Sequence, residues 1–190
     1  LRLFVAVYPP AAAVEHLAAT VDQLEVARAA QRGINARLAV RDLWHVTLAF
    51  IGDVPDDSAQ AAAAALDQAL STVERPPTLR IAGGGRFGRG RFTILWTGLD
   101  GDVADLRALT RTLRVQLRRA RVPFDDKPLR PHLTLARPGD RLPEEALRAD
   151  LAVLREYQGP QWTLGSARLV RSYPGPQPRY ETLHTAAFGE

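Results

Sequence analysis

The sequence predicts an α+β chain built as two similar lobes related by a pseudo-twofold axis, and three observations carry that prediction. The tetrapeptide His45-Val46-Thr47-Leu48 returns in the second half as His132-Leu133-Thr134-Leu135, each time in a strand-like setting. Helical and extended patterns alternate through both halves, as mixed layers require. No Gly/Pro/Ser-rich linker is long enough to separate independently folding units, so residues 1–190 are expected to form one domain of two lobes. A chain of 190 residues, 46% hydrophobic, can bury a core without staples. It contains no cysteine, which removes disulfides, thiolate nucleophiles and Cys-ligated zinc.

The elements follow in order. Residues 2–8 form an apolar, β-favouring run stopped by Pro9-Pro10, and read as a strand. Residues 11–30 read as one helix, with Val14, Leu17, Val21 and Leu24 on one side. Residues 36–40 suggest a short strand, and 44–51 the first motif strand, closed by Gly52-Asp53 and Pro55. Asp56, Asp57 and Ser58 can cap a helix that runs to about Leu70, and Pro76-Pro77 ends the half. In the second half, residues 78–82 and 91–97 read as strands joined by a flexible glycine-rich turn over 83–90. Residues 103–120 give the clearest helix, with Leu106, Leu109, Leu113 and Leu117 as its buried stripe. Its Arg107, Arg111, Arg114 and Arg118 fall on another face, expected to be solvated surface, with an RNA groove as the alternative. The second motif strand follows Pro128-Leu129-Arg130-Pro131, and a helix over 144–154 and strands over 162–172 and 180–188 finish the chain.

In an extended strand His and Thr of each motif share one face while the two apolar residues point to a core. Histidine titrates near neutrality, so two imidazoles meeting between lobes supply one base and one acid. On a 2′,3′-cyclic phosphodiester the base takes a proton from water and the acid protonates the departing ribose oxygen on the far side of phosphorus. Thr47 and Thr134 then donate hydrogen bonds to the non-bridging oxygens. No metal or cofactor is expected, because neither motif carries the closely spaced second ligand of a zinc site. A serine nucleophile elbow is missing, and the 83–90 glycines lack the Gly-Lys-Ser/Thr ending of a phosphate-binding loop. Arg86, Arg89 and Arg91 in that turn are candidate RNA contacts, whereas His16 and His184 read as surface or packing residues. The net charge of +4 is carried almost wholly by arginine, whose planar fork suits an anionic ligand. The apolar opening run is too short to span a membrane and lacks signal-peptide features, so a cytoplasmic protein without membrane association is expected.

These motifs sit among others: Arg2-Leu3-Phe4-Val5-Ala6-Val7-Tyr8-Pro9-Pro10, Trp44 through Gly52, Leu95-Trp96-Thr97-Gly98-Leu99, Arg130 through Arg137, Leu169-Val170-Arg171-Ser172 and Tyr180-Glu181-Thr182-Leu183. Together they resemble the 2H phosphoesterases, and within them the bacterial and archaeal RNA 2′,3′-cyclic phosphodiesterases, also called 2′–5′ RNA ligases. The resemblance implies a bilobal α+β fold, two lobes of antiparallel sheet with helices outside and a central cleft. It implies hydrolysis of RNA 2′,3′-cyclic phosphate ends to 2′-phosphates, with weak reversible 2′–5′ joining. By resemblance His45 is the proton donor, His132 the proton acceptor, and Thr47 and Thr134 hold the phosphate. Arg137 stands where the family carries a basic residue, yet simple alternation turns it away from His132 unless a bulge or the strand's end brings it back. Arg130 has the right parity, and both arginines are candidate substrate ligands. Trp44 and Phe50 read as core packing, with base stacking as the alternative. The expected partner is RNA with a cyclic phosphate end, or a small cyclic nucleotide, bound by a monomer. Two other functions compete: hydrolysis of another cyclic or 2′–5′ nucleotide, and noncatalytic RNA binding.

Overall fold

In the computed structural model, which describes residues 1–189, the chain forms two four-stranded antiparallel sheets. The first contains β1 (Arg2–Val7), β2 (Val46–Asp53), β7 (Ser166–Tyr173) and β8 (Arg179–Ala187), in the order β2-β1-β7-β8. The second contains β3 (Thr78–Phe87), β4 (Ile94–Gly101), β5 (Leu133–Ala136) and β6 (Trp162–Thr163), in the order β5-β4-β3-β6. The two orders match position for position, and in each the motif strand lies at an edge beside an inner strand, β1 or β4. β1 buries Leu3 through Val7 without a break, because Leu3, Val5 and Val7 enter the main core while Phe4 and Ala6 pack on the other face with Val170, Tyr8 and Tyr180.

Five α-helices cover the sheets: α1 (Ala11–Val21), α2 (Glu25–Gln31), α3 (Ser58–Ser71), α4 (Val103–Arg119) and α5 (Glu144–Glu156). α3 packs on β7 and β8, and α5 packs on β3. The helices that follow the inner strands cross over. α1 leaves β1 yet touches β3 of the other sheet, and α4 leaves β4 yet packs against α3 and β2. Each lobe is therefore completed by a helix from the other half, and one hydrophobic cluster joins residues of both.

Four sequence expectations are corrected. The helix expected over 11–30 is two, because Leu24 turns into the core and Asp150 of α5 caps the second. The Asp150 carboxylate accepts the Glu25 and Val26 N–H groups at 2.6 and 2.9 Å, satisfying donors that a helix start leaves free. Residues 36–40 form no strand; Leu38 makes a single bridge to Ala136, and Ala39 N–H donates to the Leu135 carbonyl at 2.8 Å. Most of the glycine run is strand rather than turn, since β3 continues to Phe87. A register shift between Ala82 and Gly84 accommodates Gly83 at φ +68°, a backbone state that favours glycine. A Cβ on Gly84 would lie 2.7 Å from Leu154 Cβ, and one on Gly85 would lie 2.5 Å from the Trp96 ring. Finally, the strand expected over 162–172 breaks at Leu164-Gly165 and its two pieces join different sheets, so the lobes are not the two halves of the chain. Among the described residues, no helix is long and apolar enough to cross a membrane.

Candidate active site

His45 and His132 each stand one residue before their motif strands, β2 and β5. In each case the ring nitrogen Nδ1 lies 2.6 Å from the carbonyl oxygen two residues back, Leu43 for His45 and Arg130 for His132. A carbonyl only accepts, so Nδ1 carries the proton and donates it. Nε2 is left as the nitrogen that can exchange a proton with a ligand. Thr47 and Thr134 follow on the same face, and all four side chains line one cleft of about 1590 Å³ between the lobes.

Both motif strands bulge immediately after the threonine. The register slips at Leu48 against β1 and at Leu135 against β4. One inserted residue flips the parity of whatever follows, so the third residue after each threonine returns to the cleft. In the first lobe that residue is Phe50, and in the second it is Arg137; both line the cleft. Phe50 is thus 38% exposed, with the Arg2 guanidinium 5.3 Å above its ring, rather than packed in the core. Trp44 is 3% exposed, as a core residue should be. Arg130 points its exposed side chain outside the cleft residues, and it meets the site through the carbonyl that holds His132.

The aromatic surroundings differ. His45 stacks on Phe4, with ring centroids 5.0 Å apart, and meets the rings of Tyr180 and Tyr8 at 5.4 and 5.7 Å. His132 meets Phe87 edge-on at 4.8 Å and Trp96 at 6.2 Å. Burial lowers the His45 pKa below the ordinary imidazole value, against the bond to Leu43 that favours the charged ring, and the nearby charge of His132 lowers it further. Burial also raises the pKa of Tyr8 and Tyr180, opposed by Arg168 and Arg137 respectively, so both phenols stay protonated near neutrality. Sequence inspection overlooked these neighbours, although Phe4, Ala6 and Tyr8 share one face by simple alternation and that face points at the motif.

The other candidates lie elsewhere. Arg86 pairs with Glu144 at 3.0 Å, the Arg91 guanidinium sits over Phe92, and neither they nor Arg89 line the cleft. Three of the α4 arginines fasten the segment that leads to His132: Arg107 donates to the Leu129 carbonyl at 2.9 Å and Arg114 to that of Lys127 at 2.6 Å. Arg118 pairs with Asp126 at 3.7 Å, and Arg114 and Arg118 both cover the Phe124 ring. His16 bonds the Tyr157 hydroxyl and His184 bonds Asp67, each at 2.7 Å. Among the described residues, no group of three His, Cys, Asp or Glu side chains is placed to hold a metal ion.

Fold and cleft together define a two-lobed α+β protein in which each lobe presents one His-x-Thr strand to a shared cavity. The chain belongs to the 2′-5′ RNA ligase superfamily, whose profile matches residues 9–175. It is 32% identical over 149 residues to an RNA 2′,3′-cyclic phosphodiesterase of Geobacillus stearothermophilus, an alignment covering 76% of this chain. The alignment spans only 45% of that relative's own length. Among solved structures, TT0787 of Thermus thermophilus superposes with a TM-score of 0.73 at 25% identity, covering 99% of this chain and 98% of that one. E. coli LigT complexed with ATP matches with a TM-score of 0.71 at 23% identity, over 100% of this chain and 98% of that one, and supports the fold.

Proposed function

We propose that the protein hydrolyses RNA 2′,3′-cyclic phosphodiester ends to 2′-phosphomonoesters without a metal ion, with His45 as acid and His132 as base. The observation that carries this reading is the pair of histidines held alike by their Nδ1 bonds, one from each lobe, in a single cleft with both threonines. In-line displacement at phosphorus needs one group on each side, and two lobes facing one cavity supply that arrangement. His132 Nε2 takes a proton from water as the water oxygen bonds to phosphorus. The bond from phosphorus to the ribose 3′ oxygen breaks, and that oxygen receives the proton of His45 Nε2. Thr47, Thr134 and the Arg137 guanidinium hold the non-bridging oxygens, on which charge builds. A ribose 5′-hydroxyl in place of water gives the 2′–5′ linkage.

The direction of proton flow rests on the family resemblance, and the surroundings agree with it. Both rings are half-buried, but three aromatic rings enclose His45 while two flank His132, which suits His132 to a base that meets water. A half-buried His45 whose pKa burial has lowered is a strong acid once protonated. The negative charge of the bound phosphodiester favours the imidazolium, so substrate brings the acid into its working form. The reading is tested with purified protein, EDTA and a short RNA ending in a 2′,3′-cyclic phosphate. A 2′-phosphate end, identified by phosphatase sensitivity and mass, is expected. A 3′-phosphate end overturns the assignment of the leaving oxygen, and loss of turnover in EDTA overturns metal independence.

A further inference from the structure

The two histidines are held alike, but by segments of opposite kinds. Leu43, whose carbonyl accepts the His45 Nδ1 proton, closes a 3₁₀ turn over Arg41–Leu43 and is followed by the buried Trp44, so packing fixes its place. Arg130, which does the same for His132, lies in a stretch without such support. Among the described residues, 123–132 form neither helix nor strand, and none of them is buried. Apolar burial therefore does not set the path of this stretch, and its hydrogen bonds have to.

Those bonds run in register along α4. Arg118 pairs with Asp126, Arg114 donates to the Lys127 carbonyl and Arg107 to the Leu129 carbonyl, so the strap of residues 125–130 runs back along the helix, antiparallel to it. Helical periodicity puts the three arginines on one face. Where the strap begins, the Phe124 ring lies under the Arg114 and Arg118 guanidinium groups, at 5.9 and 5.3 Å. The Asp125 N–H donates to the Phe50 carbonyl of β2 at 2.8 Å, and the Asp125 carboxylate accepts the Lys127 N–H at 3.1 Å. β2 is the first lobe's motif strand, and α4 itself packs on β2 and α3. The strap is thus tied to the lobe of His45 along its length, and it ends at the carbonyl that orients the histidine of the other lobe.

We propose that the 125–130 strap registers His132 against the first lobe, and that Arg107 and Arg114 are positioning residues for the base, acting through the Arg130 carbonyl. This role rests on the reading of the histidine pair as acid and base. In-line displacement tolerates little error in the placement of those two groups, and a misplacement of about 1 Å can cost about 10² in rate. A strap reaching from β2 to the start of β5 fixes the His132 ring relative to the strand that carries His45. Each arginine bond is charge-assisted, which suits a tie that has to hold in solvent.

The test measures kcat and KM on a short RNA ending in a 2′,3′-cyclic phosphate. It compares the unmodified protein, Arg107→Ala/Arg114→Ala, Arg107→Lys/Arg114→Lys and, as a control at an exposed position of the same helix, Arg111→Ala. The double Ala variant is expected to lose roughly 10- to 100-fold in kcat, the scale of a small displacement of a reacting group. KM should stay nearly unchanged, because Thr47, Thr134 and Arg137 are intact. The Lys variant is expected to recover part of kcat, since each bond is a single donor to one carbonyl, and Arg111→Ala to match the unmodified protein. Imidazole nitrogen resonances at alkaline pH supply a readout that lost stability alone does not move. Both rings are expected in the Nδ1–H form in the unmodified protein, whereas in the double Ala variant His132 becomes a mixture of tautomers and His45 keeps its form. Arg107→Ala alone loses the bond nearest Arg130 and should show the same split to a smaller degree, which serves if the double variant does not fold. An unchanged kcat, an unchanged His132 tautomer, or both histidines changing together overturns the proposal. A rise in KM with kcat intact overturns it too, because the arginines would then be contacts for the RNA itself. If the unmodified protein does not turn over the RNA, the hydrolytic reading fails separately, and the tautomer comparison still decides whether the strap holds His132.

Discussion

The two lobes hold the same tetrapeptide with the same backbone devices and surround it differently. Each histidine gives its Nδ1 proton to a carbonyl two residues back at 2.6 Å, and each strand bulges at the leucine after the threonine. The neighbours then diverge. Phe4, Tyr8 and Tyr180 enclose His45, whereas Phe87 and Trp96 flank His132, and the residue returned to the cleft by the bulge is Phe50 in one lobe and Arg137 in the other. The repeated motif sets which side chains face the cleft. The residues around it set how each atom behaves, because burial and nearby charge decide which protonation state an imidazole favours.

The sharpest way to break the comparison is to remove one histidine at a time. His45→Ala and His132→Ala are each expected to lower kcat by about 10²–10⁴, the range typical of a positioned acid or base. The double variant should fall well short of the product of the two losses, because the groups act as a unit. Near-normal kcat in either single variant, with the fold verified by circular dichroism, overturns the two-histidine mechanism. Thr47→Ala and Thr134→Ala should each cost about 10² in kcat, the lower end for a donor aimed at developing charge. Steady-state rates that differ strongly between these two would show that the lobes share the phosphate unequally.

Exchanging the residues returned by the bulges probes the asymmetry itself. Arg137→Ala is expected to raise KM about tenfold, consistent with loss of a charge-assisted bond worth about 1.5 kcal/mol, and Phe50→Ala to change KM less for a mononucleotide. The smallest effect is electrostatic. The imidazole proton signals should show His45 titrating below the ordinary imidazole value, and His132→Asn should move that midpoint upward, because a neighbouring positive charge is gone. With its folded pKa depressed, His45 binds fewer protons folded than unfolded between that pKa and the ordinary value of 6.5, so stability falls as pH drops through this window. His45→Phe should flatten that part of a denaturation profile measured against pH.

Much of this is legible in the chain. β1, the motif strand β2, α4 with its leucine stripe and α5 follow from local periodicity, which is strong when one face is buried. The cleft role of Arg137 is conditional on a bulge, and the slip at Leu135 supplies it. Phe50 defeats simple alternation because the matching slip at Leu48 leaves no local mark in the sequence. The glycines at 83–87 resemble a turn because glycine is a poor strand former by itself. Only the seating of Leu154 and the Trp96 ring against β3 shows why side chains are absent there. Likewise the break between α1 and α2 depends on Asp150, far along the chain, whose carboxylate no local pattern connects to Glu25.

By itself the sequence determined most of the elements and which residues of each motif share a strand face, since residue type and period two fix those faces. The tertiary structure alone decided how those faces meet. It brought β7 and β8 back to complete the first sheet, crossed α1 and α4 between lobes, and gathered Arg2, Arg37, Arg137, Arg141 and Arg179 from distant segments into one cleft. Such contacts arise from the packing of residues remote in sequence, where the burial of the whole core, rather than any local preference, selects the arrangement.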